Sequence, residues 1–250
     1  MIIDRPKDTA PLRQLWQQAF GDTEEFMDIF FSVAYSPDRC RCLYADEQLA
    51  AALYWFDCTW EGKTLAYLYA VATDTAFRGQ GLCRKLMEST HAHLKEKGYH
   101  GAILVPNGAG LFGLYEKLGY RTCGFMSTFS CEAADTPIAL QPISKEEYAI
   151  LRRKKLPHGS VLQEGETLAL LEAYSGFYKG DGFLLTAYPE NGILKVSELL
   201  GDPSAAPGIL AALGYPEGTF RTPGKDTPFA MYYPLTHDTA APEYLGLALD

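Results

Sequence analysis

One segment of the 250-residue chain has the composition of an anion cradle: Arg78-Gly79-Gln80-Gly81-Leu82-Cys83-Arg84. It stands between a strand-like run ending at Thr73 and an amphipathic stretch with Leu82, Leu86 and Leu94 on one face. Glycines at a strand-to-helix turn let backbone amides converge on an anion. The helix N-terminus adds about half a positive charge from its dipole. A pyrophosphate suits such a turn. Two nucleotide-binding patterns are excluded. A Walker loop needs Gly-x-x-x-x-Gly-Lys-Ser/Thr, which is absent, and the dinucleotide fingerprint needs a third glycine where Arg84 stands.

The elements that must position this loop are legible in outline. Pro11 opens a helical pattern through Leu15, Trp16 and Ala19 that stops at Gly21. Asp22 or Thr23 can cap a second helix with Phe26, Ile29, Phe30 and Val33 as its stripe. Strand-like runs follow at Cys42 to Ala45, Leu49 to Trp60 and Leu65 to Thr73, which reads as an antiparallel meander and excludes a parallel βαβ unit at the loop. The helix from position 79 runs to about Lys97, stopped by Gly98. A short buried strand, Ala102 to Val105, leads through an Asn107 turn to a helix over Leu111 to Leu118. Tyr120 to Ser130 reads as a strand pair.

Residues 132–142 read as a linker. The second half, 143–250, shows helices near Ser144 to Lys155 and Glu166 to Tyr174. A hairpin of Phe183 to Tyr188 with Ile193 to Leu200 comes next, then a helix over Ala206 to Leu213 and a strand near Phe229 to Tyr233. This order echoes the first half, so a degenerate second copy of one fold is expected; a stand-alone cap domain is the alternative. Arg152-Arg153-Lys154-Lys155 reads as a solvated helix end favourable to the dipole. His91 and His93, two apart on a helix, face away from each other and form neither a metal pair nor a dyad.

Composition narrows the function classes. Apolar residues make up 47% of the chain, in the globular range. A formal net charge of −9 argues against a nucleic-acid partner and mildly favours cationic substrates such as amines. No apolar run approaches the roughly 20 residues of a membrane helix, and the N-terminus lacks the character of a signal peptide. A cytoplasmic location without membrane attachment is expected, with the six cysteines reduced and no metal site.

Downstream of the loop, Leu114-Tyr115-Glu116-Lys117-Leu118-Gly119-Tyr120 completes a second motif. Together the two segments resemble the GNAT superfamily of N-acetyltransferases. Its loop pattern, Arg/Gln-x-x-Gly-x-Gly/Ala, is met by Arg78 and Gly81, with Cys83 a small departure. Its Leu-Tyr-Glu-Lys-x-Gly-Phe/Tyr ending is met in full. The resemblance covers about residues 1–130. A looser likeness, in the bipartite layout, is to acetyltransferases of the enhanced-intracellular-survival type. The resemblance implies an α/β fold with a mixed, mainly antiparallel sheet: a GNAT catalytic domain over 1–131, then a degenerate GNAT-like domain over 143–250.

The resemblance also implies direct transfer of an acetyl group from acetyl-CoA, as cosubstrate and without a metal, to a primary amine of a small molecule or peptide. The pyrophosphate would lie on the amides of Gly79, Gln80, Gly81, Leu82, Cys83 and Arg84, with Arg78 anchoring the loop or touching phosphate and Asn107 nearby. The pantetheine arm would pair with Val71, Ala72 and Thr73. Tyr115 matches the family's acid for the departing thiolate. Ordinary pKa values of about 8.5 and 10 put full transfer uphill by about 1.5 units, roughly 2 kcal/mol. A half-buried aromatic on a core helix is the other reading of Tyr115. Leu65 to Thr73 contains no carboxylate, so no base is named; Asp22, Glu24, Glu25, Asp57, Glu61 and Asp74 are all open, as is water. Tyr67 and Tyr69 share a face that lines either the core or an acceptor cleft. The rival functions are a non-enzymatic acyl-CoA sensor and an aminoacyl transferase. The acceptor, acyl length and oligomeric state stay open.

Overall fold

The computed structural model describes residues 1–238 and 240–249; Thr239 and Asp250, inside the expected second domain, lie outside the described residues. The chain forms two compact units, Met1–Arg121 with Met231–Ala240, and Thr122–Ala230 with Ala241–Asp250.

In the first unit, strand β1 (Ile2–Asp4) precedes α1 (Ala10–Phe20), which has Pro11 in its first turn and is closed by Gly21 at φ 73°. Its buried stripe is Leu12, Leu15 and Trp16. Helix α2 (Glu24–Val33) is capped by the Thr23 hydroxyl, which accepts from the Phe26 amide at 3.2 Å. Strands β2 (Cys40–Ala45), β3 (Gln48–Trp60) and β4 (Lys63–Thr73) form the expected antiparallel meander. Helix α3 (Leu82–Glu96) then crosses to β5 (Gly101–Leu104), and a single short turn of helix, α4 (Phe112–Glu116), ends the run. Strand β5 pairs with β4 in parallel, Leu65 opposite Gly101 through Tyr67 opposite Ile103. A parallel βαβ crossover at the loop is therefore present, contrary to the expectation. The meander sets the directions of β2, β3 and β4 only and does not constrain the strand after α3.

Further along the chain, residues 121–132 form one strand, β6 (Arg121–Glu132), rather than the expected pair. Then come β7 (Gln141–Pro142), α5 (Lys145–Lys155), β8 (Leu162–Gln163), α6 (Glu166–Glu172), β9 (Gly176–Lys179), β10 (Leu184–Glu190), β11 (Ile193–Leu200), α7 (Ala206–Leu213), β12 (Glu217–Pro223) and β13 (Thr227–Pro234). Strands β9, β10 and β11 are successively antiparallel, and β12 pairs with β11 in parallel after α7. The order of the first unit is thus repeated: two helices, an antiparallel run, a crossover helix, a parallel strand.

Each parallel strand then receives an antiparallel neighbour from later or earlier in the chain. Residues Met231–Pro234 of β13, which follows β12, pair with β5; residues Met126–Glu132 of β6, which follows β5, pair with β12. The unit boundaries differ from 1–131 and 143–250 for this reason. Hydrophobic periodicity marks a strand without saying which neighbour it will choose.

The basic run at the end of α5 is not wholly solvated. Arg152 is buried, with Nε 2.6 Å from Glu198 Oε2 and Nη2 2.9 Å from Oε1. The Tyr148 and Tyr244 hydroxyls donate to the same carboxylate at 2.8 and 3.1 Å. Only Arg153, Lys154 and Lys155 are the exposed end that the run suggests.

Candidate active site

The loop expected to hold an anion is built from the end of β4 onward. Strand β4 pairs with β5 over Leu65 to Tyr67, and among the described residues the pairing with β5 does not reach Val71, Ala72 and Thr73. On its other edge, Ala52 faces Ala72 while Tyr54 faces Tyr69, so β4 carries one extra residue and bulges. The bulge places Ala70 at φ 47°, a conformation that costs a side chain about 1–2 kcal/mol. Val71, Ala72 and Thr73 follow directly. A strand with an open backbone edge can accept an extended ligand as a further strand.

The turn after β4 is tied at both ends. The Asp74 amide donates to Ala50 O at 2.9 Å, and the Asp74 carboxylate accepts the Ala76 amide at 2.8 Å. Gln18 of α1 exchanges two hydrogen bonds with Thr75, at 3.0 and 3.3 Å. Arg78 is exposed and donates through Nε to Thr73 O at 3.1 Å, so its side chain anchors the loop to the end of β4.

Gly79 and Gly81 then adopt φ 77° and 72°. A Cβ added at either would meet no protein atom within 4 Å, so the space above the turn is open. The amides of Leu82, Cys83 and Arg84 lie in the first turn of α3, where no helical carbonyl precedes them. The helix bonding begins with the Lys85 amide on Gly81 O at 3.2 Å. No side chain caps Gly81, in contrast to Thr23 on α2 and Ser144 on α5. An uncapped, exposed helix start with a glycine turn before it presents donors to an anion.

Cys83, half-buried, packs against the same apolar cluster that holds Leu82, Tyr115 and Tyr120, and Val71 joins it from β4. Strand edge, loop and Tyr115 are thus brought onto one cluster. Arg84 adds a contact that sequence reasoning missed: its Nη2 donates to Lys117 O at 3.1 Å, joining the start of α3 to the end of α4. Tyr115 is buried, edge-on to Tyr120 with centroids 5.7 Å apart. Burial pushes its phenol above the ordinary value, and nearby Cys83 adds to the rise. The 1.5-unit gap expected from ordinary values is therefore widened, which suits Tyr115 to donating a hydrogen bond more than to releasing a proton. Asn107 is exposed at the bend after β5, beside Gly108 at φ 101°.

Several carboxylates weighed as bases have protein donors. Asp22 accepts the Trp16 indole at 2.7 Å, Glu24 pairs with Arg13 at 2.8 Å, and Asp57 with Arg39 at 3.3 Å and with the Tyr99 hydroxyl. Tyr67 is buried against Phe56, and Tyr69 packs on Trp16, Phe30 and Phe56.

Comparison with known proteins bears on these geometries. Residues 5–123 match the family described as the Acetyltransferase (GNAT) domain. The chain carries a GNAT domain. That domain contains the loop, the β4 edge and the first residues of β6. No curated protein sequence matches the chain. Among solved structures, a GCN5-related N-acetyltransferase from Kribbella flavida is 17% identical, with a TM-score of 0.70 over 94% of this chain and 72% of its own. A second, from Anabaena variabilis, is 16% identical with a TM-score of 0.70, covering 94% and 73%. Eis1 from Mycobacterium abscessus is 13% identical with a TM-score of 0.65, covering 94% and 74%. At these identities the likeness is one of fold, and it extends through both halves of the chain. The match over residues 5–123 supports acyl transfer in general. No helix among the described residues is long and apolar enough to cross a membrane.

The second unit repeats the crossover of the GNAT domain without its open loop. At the start of α7 the Asp202 carboxylate accepts the Ser204 amide at 2.9 Å, and Pro203 and Pro207 supply no amide hydrogen. A Cβ on Gly208 would lie 2.4 Å from Ile138, so the space that is open above Gly81 is filled here.

Proposed function

We propose that the chain transfers an acetyl group from acetyl-CoA to a primary amine of a small molecule or peptide by direct attack. The observation that carries this reading is the junction of the β4 edge at Val71 to Thr73, beyond its pairing with β5 among the described residues, with an uncapped, glycine-entered helix. The edge fits the amides and carbonyls of a pantetheine arm, and the helix start fits the pyrophosphate at its far end. Gly79, Gln80, Gly81, Leu82, Cys83 and Arg84 offer the pyrophosphate amides, and Arg78 keeps the loop closed on Thr73. Val71, Ala72 and Thr73 align the arm, and an amide of this stretch polarises the thioester carbonyl.

The amine attacks the carbonyl carbon, the tetrahedral intermediate collapses, and the C–S bond breaks. Tyr115 meets the charge that appears on sulfur. Asp22, Glu24 and Asp57 are already held by protein donors, which leaves Glu25, Glu61, Asp74 and water open to take the ammonium proton. The test is release of free CoA thiol from acetyl-CoA across a panel of amines, followed with a thiol reagent. Amine-dependent release supports transfer. Tight acetyl-CoA binding with no release on any amine would favour the acyl-CoA sensor instead.

A further inference from the structure

We propose that His91 is a positioning residue for the reaction: it fixes Tyr120 by a hydrogen bond, and through Tyr120 the ring of Tyr115. The inference rests on reading Tyr115 as the group that meets the departing thiolate.

Helix α4 carries Tyr115 but spans only Phe112–Glu116, too short to hold its own place. Its position is set from its C-terminal side. The Tyr120 amide donates to Tyr115 O at 3.0 Å, and Gly119, at φ 91°, sits against the Tyr233 ring, where an added Cβ would come within 3.0 Å. The Tyr120 ring stands edge-on to Tyr115, and its hydroxyl is 2.7 Å from His91 Nε2, with both residues buried. His91 is itself held flat, stacked on Tyr233 with centroids 4.1 Å apart and planes 13° apart. Tyr115, Tyr120, His91 and Tyr233 thus form one run of contacts.

A phenylalanine at 91 would fill the same space without an imidazole to desolvate. The polar pair adds direction: one donor–acceptor line fixes the roll of Tyr120, which shape alone leaves loose. Burial pushes the imidazole down to about 4, so it stays neutral and keeps this bond across the neutral range. The location gives the bond its use. His91 lies on α3, whose N-terminus is the pyrophosphate cradle, and Tyr120 follows α4. Together with Arg84 on Lys117 O, the bond sets the span from cradle to Tyr115, and a pantetheine arm has one extended length.

The test compares His91→Phe, His91→Gln, Tyr115→Phe and the Tyr115→Phe/His91→Phe double variant for kcat, KM for acetyl-CoA and Tm. His91→Phe is expected to lower kcat about tenfold with KM within about twofold, and His91→Gln to restore most of that loss. In the Tyr115→Phe background, His91→Phe should cost nothing further. Should His91→Phe not fold, Tyr120→Phe removes the same bond at constant ring volume and should give the same kcat loss. An equal fractional loss of kcat in both backgrounds overturns the role of His91 while leaving Tyr115 its own. Full turnover in Tyr115→Phe alone overturns the acid assignment, and the positioning role with it.

Discussion

Arg78 Nε donates to Thr73 O at 3.1 Å, so the exposed cationic side chain of the loop is tied back to the strand end. The loop's first residue thereby fixes its distance from the β4 edge. Arg78→Ala should raise the acetyl-CoA Kd about three- to tenfold, as the loop loses a tie it must otherwise order on binding. Because this bond lies within the protein, the loss should hold nearly constant between about 50 and 300 mM salt. A loss that shrinks steeply with salt would mean that Arg78 acts on phosphate instead.

Gly81 is constrained by its backbone rather than by its neighbours, since φ is 72° and nothing lies within 4 Å of an added Cβ. Gly81→Ala should cost about 1 kcal/mol of stability by denaturant unfolding, from the left-handed conformation alone. Gly81→Leu should also weaken acetyl-CoA by about tenfold or more, some 1.4 kcal/mol, because its side chain projects into the open anion space. Unchanged affinity in a folded Gly81→Leu variant removes the loop from the binding site.

Much of the backbone geometry around the loop was legible because it is local. Gly79 and Gly81 announce positive φ, Thr73 ends an alternating run, and Gly119 stops a helix, all within a few residues of what they control. The bulge was hidden because Ala70 carries no mark of its left-handed backbone; only the mismatch of Ala52–Tyr54 against Ala72–Tyr69 reveals it. The partner of Arg152 was equally hidden. Four basic residues in a row suggest solvent, and Glu198 lies 46 positions away on another element. That β6 pairs with β12 and the end of β13 with β5 depends on partner choice, which periodicity does not carry.

Arg152 and Glu198 make a stability prediction. Burial opposes the Arg152 charge, and the Glu198 carboxylate more than offsets this, so the guanidinium is held charged. Arg152→Met leaves that carboxylate buried with the Tyr148 and Tyr244 hydroxyls as donors but no cation, and should cost about 3–5 kcal/mol in urea unfolding. Adding Glu198→Leu should return most of the loss, since the unpaired charge goes too. A double variant less stable than Arg152→Met alone would show that the pair, and not the stranded charge, carries the effect.

The closed turn at α7 predicts one acetyl-CoA per chain. Asp202 occupies the Ser204 amide, two prolines remove donors, and Ile138 covers Gly208. Calorimetric titration should give a stoichiometry near one, and Gly81→Leu should weaken the whole signal rather than part of it. Two equivalents bound, or a second transition untouched by Gly81→Leu, would place a site in the second unit.

Tyr115→Phe should lower kcat far more than it changes acetyl-CoA affinity. In the ground state the thioester sulfur is neutral and a poor acceptor, so the phenol adds little to binding. As the intermediate collapses, sulfur becomes thiolate, and a donor within reach then matters. An interaction made mainly in the transition state lowers kcat and kcat/KM together. General-acid effects are typically about 10²–10⁴-fold, and the low end is expected because thiolate is already a fair leaving group. The pH profile gives a second handle. Burial raises the Tyr115 phenol above its ordinary value of 10.0, so the donor form is complete at neutral pH and is lost only as pH climbs through the raised value. Wild-type kcat should therefore show no descending limb from this group below about pH 10. Tyr115 as a packing residue alone predicts a lower Tm with near-normal turnover. Measured on one variant, full activity with lost stability ends the catalytic assignment, and slow turnover with a nearly unchanged Tm establishes it.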